Sequence, residues 1–142
     1  GYLLQDIIVY INQRSKEYCK QVFGTEIIDF SLDGNAISIS YNGKQYEALS
    51  GGERQKLDII IQLAIRDVLC AYTNFSTNII VLDEIFDNLD DIGSGNIVEL
   101  ISNNLTDIKG IYIISHHAKS LNIPYDNELT VVKNESGVSY LI

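Results

Sequence analysis

The sequence is poor in several residue types, and each shortage excludes some classes of protein or structure. Its 142 residues include one proline, two cysteines and no methionine or tryptophan. Two cysteines do not make a disulfide framework, so we expect ordinary helix thiols at Cys19 and Cys70 in a reducing, cytoplasmic setting. The apolar runs are far shorter than the roughly 20 residues that cross a bilayer. No basic signal-like segment opens the chain, and we expect no membrane partner.

Basic residues are also scarce. Lysine and arginine total 10 against 19 acidic residues, for a formal net charge of -9. Clustered basic side chains are what grip phosphate backbones, so we expect no nucleic-acid binding by this chain unaided. The length and the 46% hydrophobic content fit one compact domain with a real core. The chain begins at Gly1 and lacks methionine, which predicts an expression fragment or a processed chain with functional sequence upstream.

Hydrophobic periodicity predicts three helices, at residues 2–23, 50–72 and 92–105. Predicted strands, several joined by Gly- and Asn-containing turns, occupy residues 26–33, 36–41, 44–48, 78–82, 111–114, 128–133 and 138–142. The runs at 78–82 and 111–114 are continuously apolar, which predicts strands buried on both faces. This order predicts an α/β domain with a parallel central pair and antiparallel additions.

The first candidate site is the heptapeptide LSGGERQ at residues 49–55. Ser50 and Glu53 form a capping box at the start of the second predicted helix. Gly51 and Gly52 are poor helix formers, so their presence in a first turn needs a reason. Close approach of a phosphate to the open backbone N–H groups supplies one, although a plain capped helix is the simpler alternative.

The second candidate site follows the two apolar runs. Asp83 and Glu84 end the first run, and His116 and His117 end the second. In open α/β sheets, ligands bind beyond the carboxyl ends of the strands. An aspartate there can hold Mg²⁺ and a neighbouring glutamate can deprotonate water. His116 could contact a phosphate or the attacking water, with His117 as its rival. A polar strand end entering a solvated acidic loop remains the alternative.

These pieces, in this order and spacing, resemble the C-terminal half of an ABC-type ATPase head. Residues 49–55 resemble the ABC signature, 79–84 the Walker B strand, 88–90 the D-loop and His116 the H-loop. Among ABC-type ATPases, the motifs most resemble those of SMC proteins, SbcC-type exonuclease subunits and their phage recombination counterparts. The implied fold is an ABC-ATPase-like half-head, with a central, mostly parallel sheet plus antiparallel strands. Residues 1–24 then resemble the end of a coiled-coil arm, and 25–142 the C-terminal lobe.

The resemblance also implies site roles and cofactors. ATP and Mg²⁺ would lie between two heads, with each signature capping the ATP of the opposite head. Asp83 would help hold Mg²⁺, Glu84 would polarise the attacking water and His116 would contact the γ-phosphate. The implied ATP-binding residues are Ser50, Gly51, Gly52, Glu53 and Asp90. The implied partners are the N-terminal Walker A half of the same protein, a second head, a nuclease subunit and, through the complete complex, DNA.

Three departures bear on this interpretation. His117 follows His116 where many repair ATPases have aspartate. Ile85 and Phe86 stand where transporter heads often continue with proline and threonine. The chain also lacks a Walker A loop: its only Gly-Lys pair, Gly43-Lys44, has serine at position 38 and Gln45 after it. We therefore expect ATP hydrolysis only in the complete head. The competing hypotheses are a non-catalytic ABC-like interaction module and an unrelated acidic domain that matches by chance.

Overall fold

The computed structural model describes residues 2–34, 36–116 and 123–142. Within these residues the chain forms three α-helices and seven β-strands. The helices are α1 (Tyr2–Phe23), α2 (Gly51–Tyr72) and α3 (Asp91–Asn104). The strands are β1 (Ile28–Asp33), β2 (Ala36–Tyr41), β3 (Lys44–Gln45), β4 (Ile79–Asp83), β5 (Gly110–Ile114), β6 (Val131–Lys133) and β7 (Ser139–Leu141). No helix in this described part is both long and apolar enough to cross a membrane.

The strands of the described residues form three small sheets. Strands β1, β2 and β3 are antiparallel, β4 and β5 form a parallel pair, and β6 and β7 form an antiparallel hairpin. The predicted α/β class is confirmed. The predicted strand at 44–48 is wrong beyond Gln45, because Tyr46–Ala48 forms a 3-10 turn. The Tyr46 hydroxyl donates to Asp58 on α2 at 2.5 Å, which draws the chain toward that helix.

Each helix ends or begins where its local chemistry demands. Gly24 follows α1 with φ of +72°, the left-handed conformation that closes a helix, and its N–H reaches Lys20 O at 2.9 Å. Ser50 caps α2 as predicted. The Asp90 carboxylate caps α3 by accepting the Gly93 N–H at 2.7 Å. The helix boundaries predicted from the sequence are therefore confirmed to within one or two residues.

The hydrophobic core lies where the three helices meet β1 and one face of β4. Its fully buried side chains include Tyr18 from α1, Leu57 and Ile60 from α2, and Ile97 and Leu100 from α3. Burial of large apolar side chains is the main term that stabilises such a domain. The core therefore brings the three helices into contact with one another, and α1 packs against both α2 and α3 as well as against β1.

A polar cluster joins α1 to α2 near the end of α2. Asp67 Oδ2 accepts hydrogen bonds from Arg14 Nε at 2.7 Å and from the Tyr18 hydroxyl at 2.5 Å. Arg14 Nη2 also donates to the Tyr18 hydroxyl oxygen at 2.6 Å. Burial raises the pKa of Tyr18, and the hydrogen bond to Asp67 raises it further, so the phenol stays a donor. Asp67 thus adds a polar link between α2 and α1 to the apolar packing of the core.

Replacing Asp67 with asparagine is expected to loosen α1. The loss of one charged acceptor for two donors should weaken this contact by about 1–3 kcal/mol. Amide hydrogen exchange in the protein that contains this chain should then be roughly tenfold or more faster in α1. Asp107→Asn is the control, since its 2.7 Å pair with Arg66 is solvent-exposed on the Asp107 side and should contribute little. Equal exchange in the two variants would contradict this role for Asp67.

Neither strand of the parallel pair is buried on both faces, which corrects the prediction. Strand β4 buries Leu82, 7% exposed, on its inner face, whereas Ile111 and Ile113 on the same face of β5 are 38 and 39% exposed. The opposite face carries Ile79, Val81, Tyr112 and Ile114 at 52, 57, 54 and 49% exposure. Within the described residues no second layer covers that face. An apolar run therefore predicted the strands correctly, but the layer expected above them is absent from this part of the chain.

Candidate functional site

The carboxyl ends of β4 and β5 bring the predicted catalytic pair together. Asp83 is in register with Ile114, so Glu84 and His116 emerge at the same edge of the parallel pair. His116 Nε2 lies 2.8 Å from Glu84 Oε1, within hydrogen-bonding distance. The structure thus brings these two side chains together. The rival histidine, His117, lies outside the described residues.

Glu84 has an unusual backbone. Its φ of +52° lies in the left-handed region that side-chain-bearing residues seldom adopt. Its N–H donates to Ile114 O at 2.9 Å, which extends the parallel pairing by one residue before the chain turns. The side chains of Glu84 and His116 remain 50 and 75% exposed. The pair is therefore tied to the sheet through backbone, while its polar atoms stay accessible to water and to a ligand.

Asp83 stands at the end of β4 with an exposed side chain, beside this pair. Among the residues that the structure describes, no group of three or more His, Cys, Asp or Glu side chains could hold a metal. Magnesium commonly binds through one or two carboxylates, with water and substrate phosphates completing its shell. A single accessible carboxylate at this position therefore fits Mg²⁺ bound together with a nucleotide, and does not fit an all-protein metal cage.

The capping box at the start of α2 is complete. Ser50 Oγ accepts the Glu53 N–H at 3.3 Å, and Glu53 Oε2 accepts the Ser50 N–H at 2.9 Å and the Ser50 hydroxyl at 2.8 Å. The backbone hydrogen bond from Ser50, with the hydroxyl adding to it, lowers the pKa of Glu53. The cap therefore contributes stability above the ordinary glutamate pKa, and this contribution is lost as pH falls through the lowered value. The predicted Ser50–Glu53 pairing is confirmed.

The two glycines of α2 meet the acidic loop that follows β4. A Cβ added to Gly52 would lie 3.1 Å from the Asn88 backbone oxygen, and one on Gly51 would lie 3.9 Å from Asn88 Cβ. Phosphate approach was the reason that the sequence suggested for both glycines. The structure supplies another for Gly52, because its backbone packs closely against this loop. The start of α2 and the loop are thus neighbours within one chain.

Two kinds of residue at this site were missed by sequence reasoning. Gln55 donates through Nε2 to Glu84 O and to Ile85 O, each at 3.3 Å. Gln55 ends the heptapeptide at residues 49–55, but the sequence indicates no contact for its side chain. Ile85 and Phe86, the departures from the transporter pattern, are 5 and 4% exposed and belong to the core. Two apolar residues inside an acidic stretch indicate that this loop packs against the core, and the sequence alone could have predicted that contact.

The family model described as SbcC/RAD50-like, Walker B motif, matches residues 27–103. The probable exonuclease subunit 2 of Escherichia phage T5 is 25% identical over an alignment of 146 residues. The alignment covers 99% of this chain and 23% of that protein. Exonuclease subunit 2 of Enterobacteria phage T4 is 25% identical over 123 residues, covering 82% of this chain and 21% of that protein. The chain spans less than a quarter of the length of these curated relatives.

Solved structures give the same fold. A chain from work on ATP-driven dimerization and DNA-stimulated activation of SMC ATPases matches with a TM-score of 0.73 at 19% identity. That match covers 99% of this chain and 87% of the other. The SMC head domain from Thermotoga maritima matches with a TM-score of 0.60 at 21% identity, over 94% of this chain and 46% of that one. The described part of the chain therefore shares its fold with part of these SMC head structures.

Proposed function

We propose that this chain, which belongs to the SbcC/RAD50-like Walker B family, is the C-terminal lobe of an ATPase head in a DNA repair or recombination protein. The observation that carries the proposal is the approach of His116 Nε2 to Glu84 Oε1, 2.8 Å, at the carboxyl edge of the parallel pair. A carboxylate and an imidazole that are close together and open to solvent suit a reaction in which water attacks a phosphate.

Each residue at this edge has a defined role in the proposal. Glu84 orients the attacking water and accepts its proton at a carboxylate oxygen. Before ATP binds, His116 holds that carboxylate through Nε2. With ATP bound, the Nε2–H is donated to a γ-phosphate oxygen instead. Asp83 holds Mg²⁺, which neutralises phosphate charge when it is bound. The three side chains follow two adjacent strands, so the sheet itself sets their spacing.

The start of α2 is the proposed binding surface for the ATP of a second head. The backbone N–H groups of Gly51 and Gly52 and the Ser50 hydroxyl would face that phosphate, in the positive field of the helix terminus. The Glu53 carboxylate is already engaged by Ser50, and Lys44 Nζ lies 3.9 Å from its other oxygen. These contacts offset the negative charge that Glu53 would otherwise present. Asp90 would act across the two heads while it caps α3.

The N-terminal Walker A half is the proposed cover for the exposed face of the parallel pair. That face is apolar, and the chain has no Walker A loop of its own. A second lobe that buries Val81 and Tyr112 would also bring the phosphate loop to the carboxyl edge. Homology to phage exonuclease subunits favours a nuclease partner. Because the net charge of this chain is -9, we expect the proposed partners, including the N-terminal Walker A half, to supply the basic surface that contacts DNA.

Residues 1–24 are the proposed end of a coiled-coil arm, and 25–142 the proposed lobe. The second half of α1 is held by the core, where Tyr18, Cys19 and Val22 are buried. At the other end of the helix, Leu3 and Leu4 are 65 and 47% exposed. Apolar side chains on the free end of a docked helix suit a helix that continues beside a partner strand of a coiled coil.

Ser50→Arg tests the proposed two-headed arrangement in the protein that contains this chain. A bulky cation at the start of α2 should obstruct a second head, so ATP-dependent dimerization should weaken by about tenfold or more. ATP binding to a single head should change by no more than about twofold, because the nucleotide's own pocket is untouched. Analytical ultracentrifugation with ATP gives the first quantity and equilibrium dialysis the second.

Ser102→Arg is the matched control, since Ser102 is exposed on α3 and far along the chain from the signature. It should dimerize like the unchanged protein. An unchanged Ser50→Arg dimer would contradict the proposed role of the signature. A wild-type protein that binds no ATP would instead support the non-catalytic interaction module.

A further inference from the structure

We propose that Gln55 is a positioning residue for Glu84, an inference that rests on the proposed ATPase function. Gln55 lies on α2, and its side-chain amide donates to the backbone oxygens of Glu84 and Ile85, each at 3.3 Å. A glutamine amide carries two N–H donors and can serve two carbonyl groups at once. Gln55 thereby joins the signature helix to the backbone that carries the catalytic carboxylate, within one chain.

The Glu84 backbone needs such a restraint. Its φ of +52° is sparsely populated for residues with a side chain, so surrounding contacts must hold it. The N–H is fixed by Ile114 O at 2.9 Å, and the carbonyl receives the Asp87 N–H at 3.2 Å as well as Gln55. Because the Cα–Cβ direction follows the backbone, a change at this carbonyl would swing the carboxylate away from His116.

The loop after β4 is anchored on α2 at more than one point. Ile85 and Phe86 fill the core beneath it, and the Asn88 carbonyl packs against Gly52. Burial of these apolar side chains fixes the position of the loop against the core, but it does not specify which way the carbonyl groups of the loop point. The hydrogen bonds from Gln55 supply that orientation, since a donor must face both oxygens.

Neighbouring polar side chains on α2 are directed elsewhere. Arg54 Nη2 donates to Glu47 O at 3.0 Å, and its guanidinium lies 5.2 Å from the Tyr46 ring centroid. Lys56 Nζ lies 5.3 Å from the Phe23 ring centroid. Among these three consecutive side chains, Gln55 is the one that reaches the Glu84 carbonyl. This division of contacts makes Gln55 a specific link rather than one of several interchangeable ones.

One consequence follows for the reaction. Ser50 and Gly52, proposed to meet the ATP of the opposite head, share a helix with Gln55, which holds Glu84 of its own head. A displacement of the start of α2 can therefore reach the carboxylate through the hydrogen bonds of Gln55, in addition to the packing of Gly52 against the loop. Gln55 touches neither nucleotide nor water in this scheme, so its loss should affect turnover and leave nucleotide affinity largely intact.

Gln55→Glu tests the proposal in the complete ATPase that contains this chain. The substitution keeps the shape and places an acceptor against two carbonyl oxygens, so kcat for ATP should fall by about 10- to 100-fold. KM should stay within about twofold. Gln62→Glu is the matched control: Gln62 is exposed on the same helix, and its side chain makes no hydrogen bond to other described residues. Gln55→Lys, which restores a donor, should recover most of the lost kcat.

A double-mutant cycle with Glu84→Gln separates positioning from an independent effect. If Gln55 acts through Glu84, adding Gln55→Glu to Glu84→Gln should lower the residual rate by less than about twofold. Multiplied losses would overturn the proposal, and so would a Gln55→Glu enzyme that matches Gln62→Glu. If Gln55→Glu does not fold, Gln55→Ala removes the donor without adding charge and carries the same expectations. Absence of turnover in the wild-type protein would overturn the proposed function itself.

Discussion

Glu84→Gln should reduce ATP turnover of the complete protein by about 10²- to 10⁴-fold, the loss expected when a general base is removed. Glutamine keeps the length of the side chain but cannot accept the proton of the attacking water. The substituted amide can still reach His116 Nε2, which now lies 2.8 Å from the carboxylate. ATP binding should therefore survive, and the ATP-bound dimer should persist because the step that releases it is slow.

Single-turnover hydrolysis measures the chemical step, and size-exclusion chromatography with ATP measures the trapped dimer. Glu99→Gln is the matched control, because Glu99 is an exposed glutamate on α3, away from the parallel strand ends. It should leave both quantities unchanged. Turnover of Glu84→Gln equal to that of Glu99→Gln would remove Glu84 from the mechanism.

Val81→Asp should destabilise the complete protein as a core substitution does, although Val81 is 57% exposed in this chain. The proposed N-terminal half covers this face, so the aspartate would be buried without a partner. Burial of an unpaired charge is among the most damaging substitutions, and we expect a loss of about 3 kcal/mol or more in the free energy of unfolding.

Denaturant unfolding of the complete protein measures that loss. Ile65→Asp provides the comparison, since Ile65 is 43% exposed on α2 and makes a similar apolar-to-acidic change on a helix surface. Its effect should be small, within about 1 kcal/mol. A Val81→Asp protein as stable as Ile65→Asp would show that the exposed face of β4 and β5 stays uncovered, contrary to the proposed lobe arrangement.

The capping box and the residues at the ends of the parallel strands could be predicted from the sequence. Ser50 and Glu53 sit at the spacing of a capping box, and the structure contains that box. Asp83, Glu84 and His116 follow two apolar runs, and parallel strands place their carboxyl ends at one edge. These inferences need only short-range rules and one rule of sheet geometry, so they hold without knowledge of the tertiary packing.

Packing between distant segments could not be read in the same way. The hydrogen bonds of Gln55 join residues 29 and 30 positions apart, and they exist only because α2 lies over the loop after β4. The left-handed backbone of Glu84 has no signature in a residue type that usually avoids it. The exposure of β4 and β5 was also hidden, since an apolar run has the same sequence pattern whether or not another layer covers it.

The uncovered face of β4 and β5 has a colloidal consequence. Each strand of this pair has one edge without a neighbouring strand in the described residues, beside exposed isoleucine, valine and tyrosine side chains. Such edges add further strands unless something keeps molecules apart. At neutral pH the charge of -9 provides mutual repulsion. Near the isoelectric point of about 4.5 that repulsion vanishes, so mild acid should turn a dispersed lobe into one that adheres to itself.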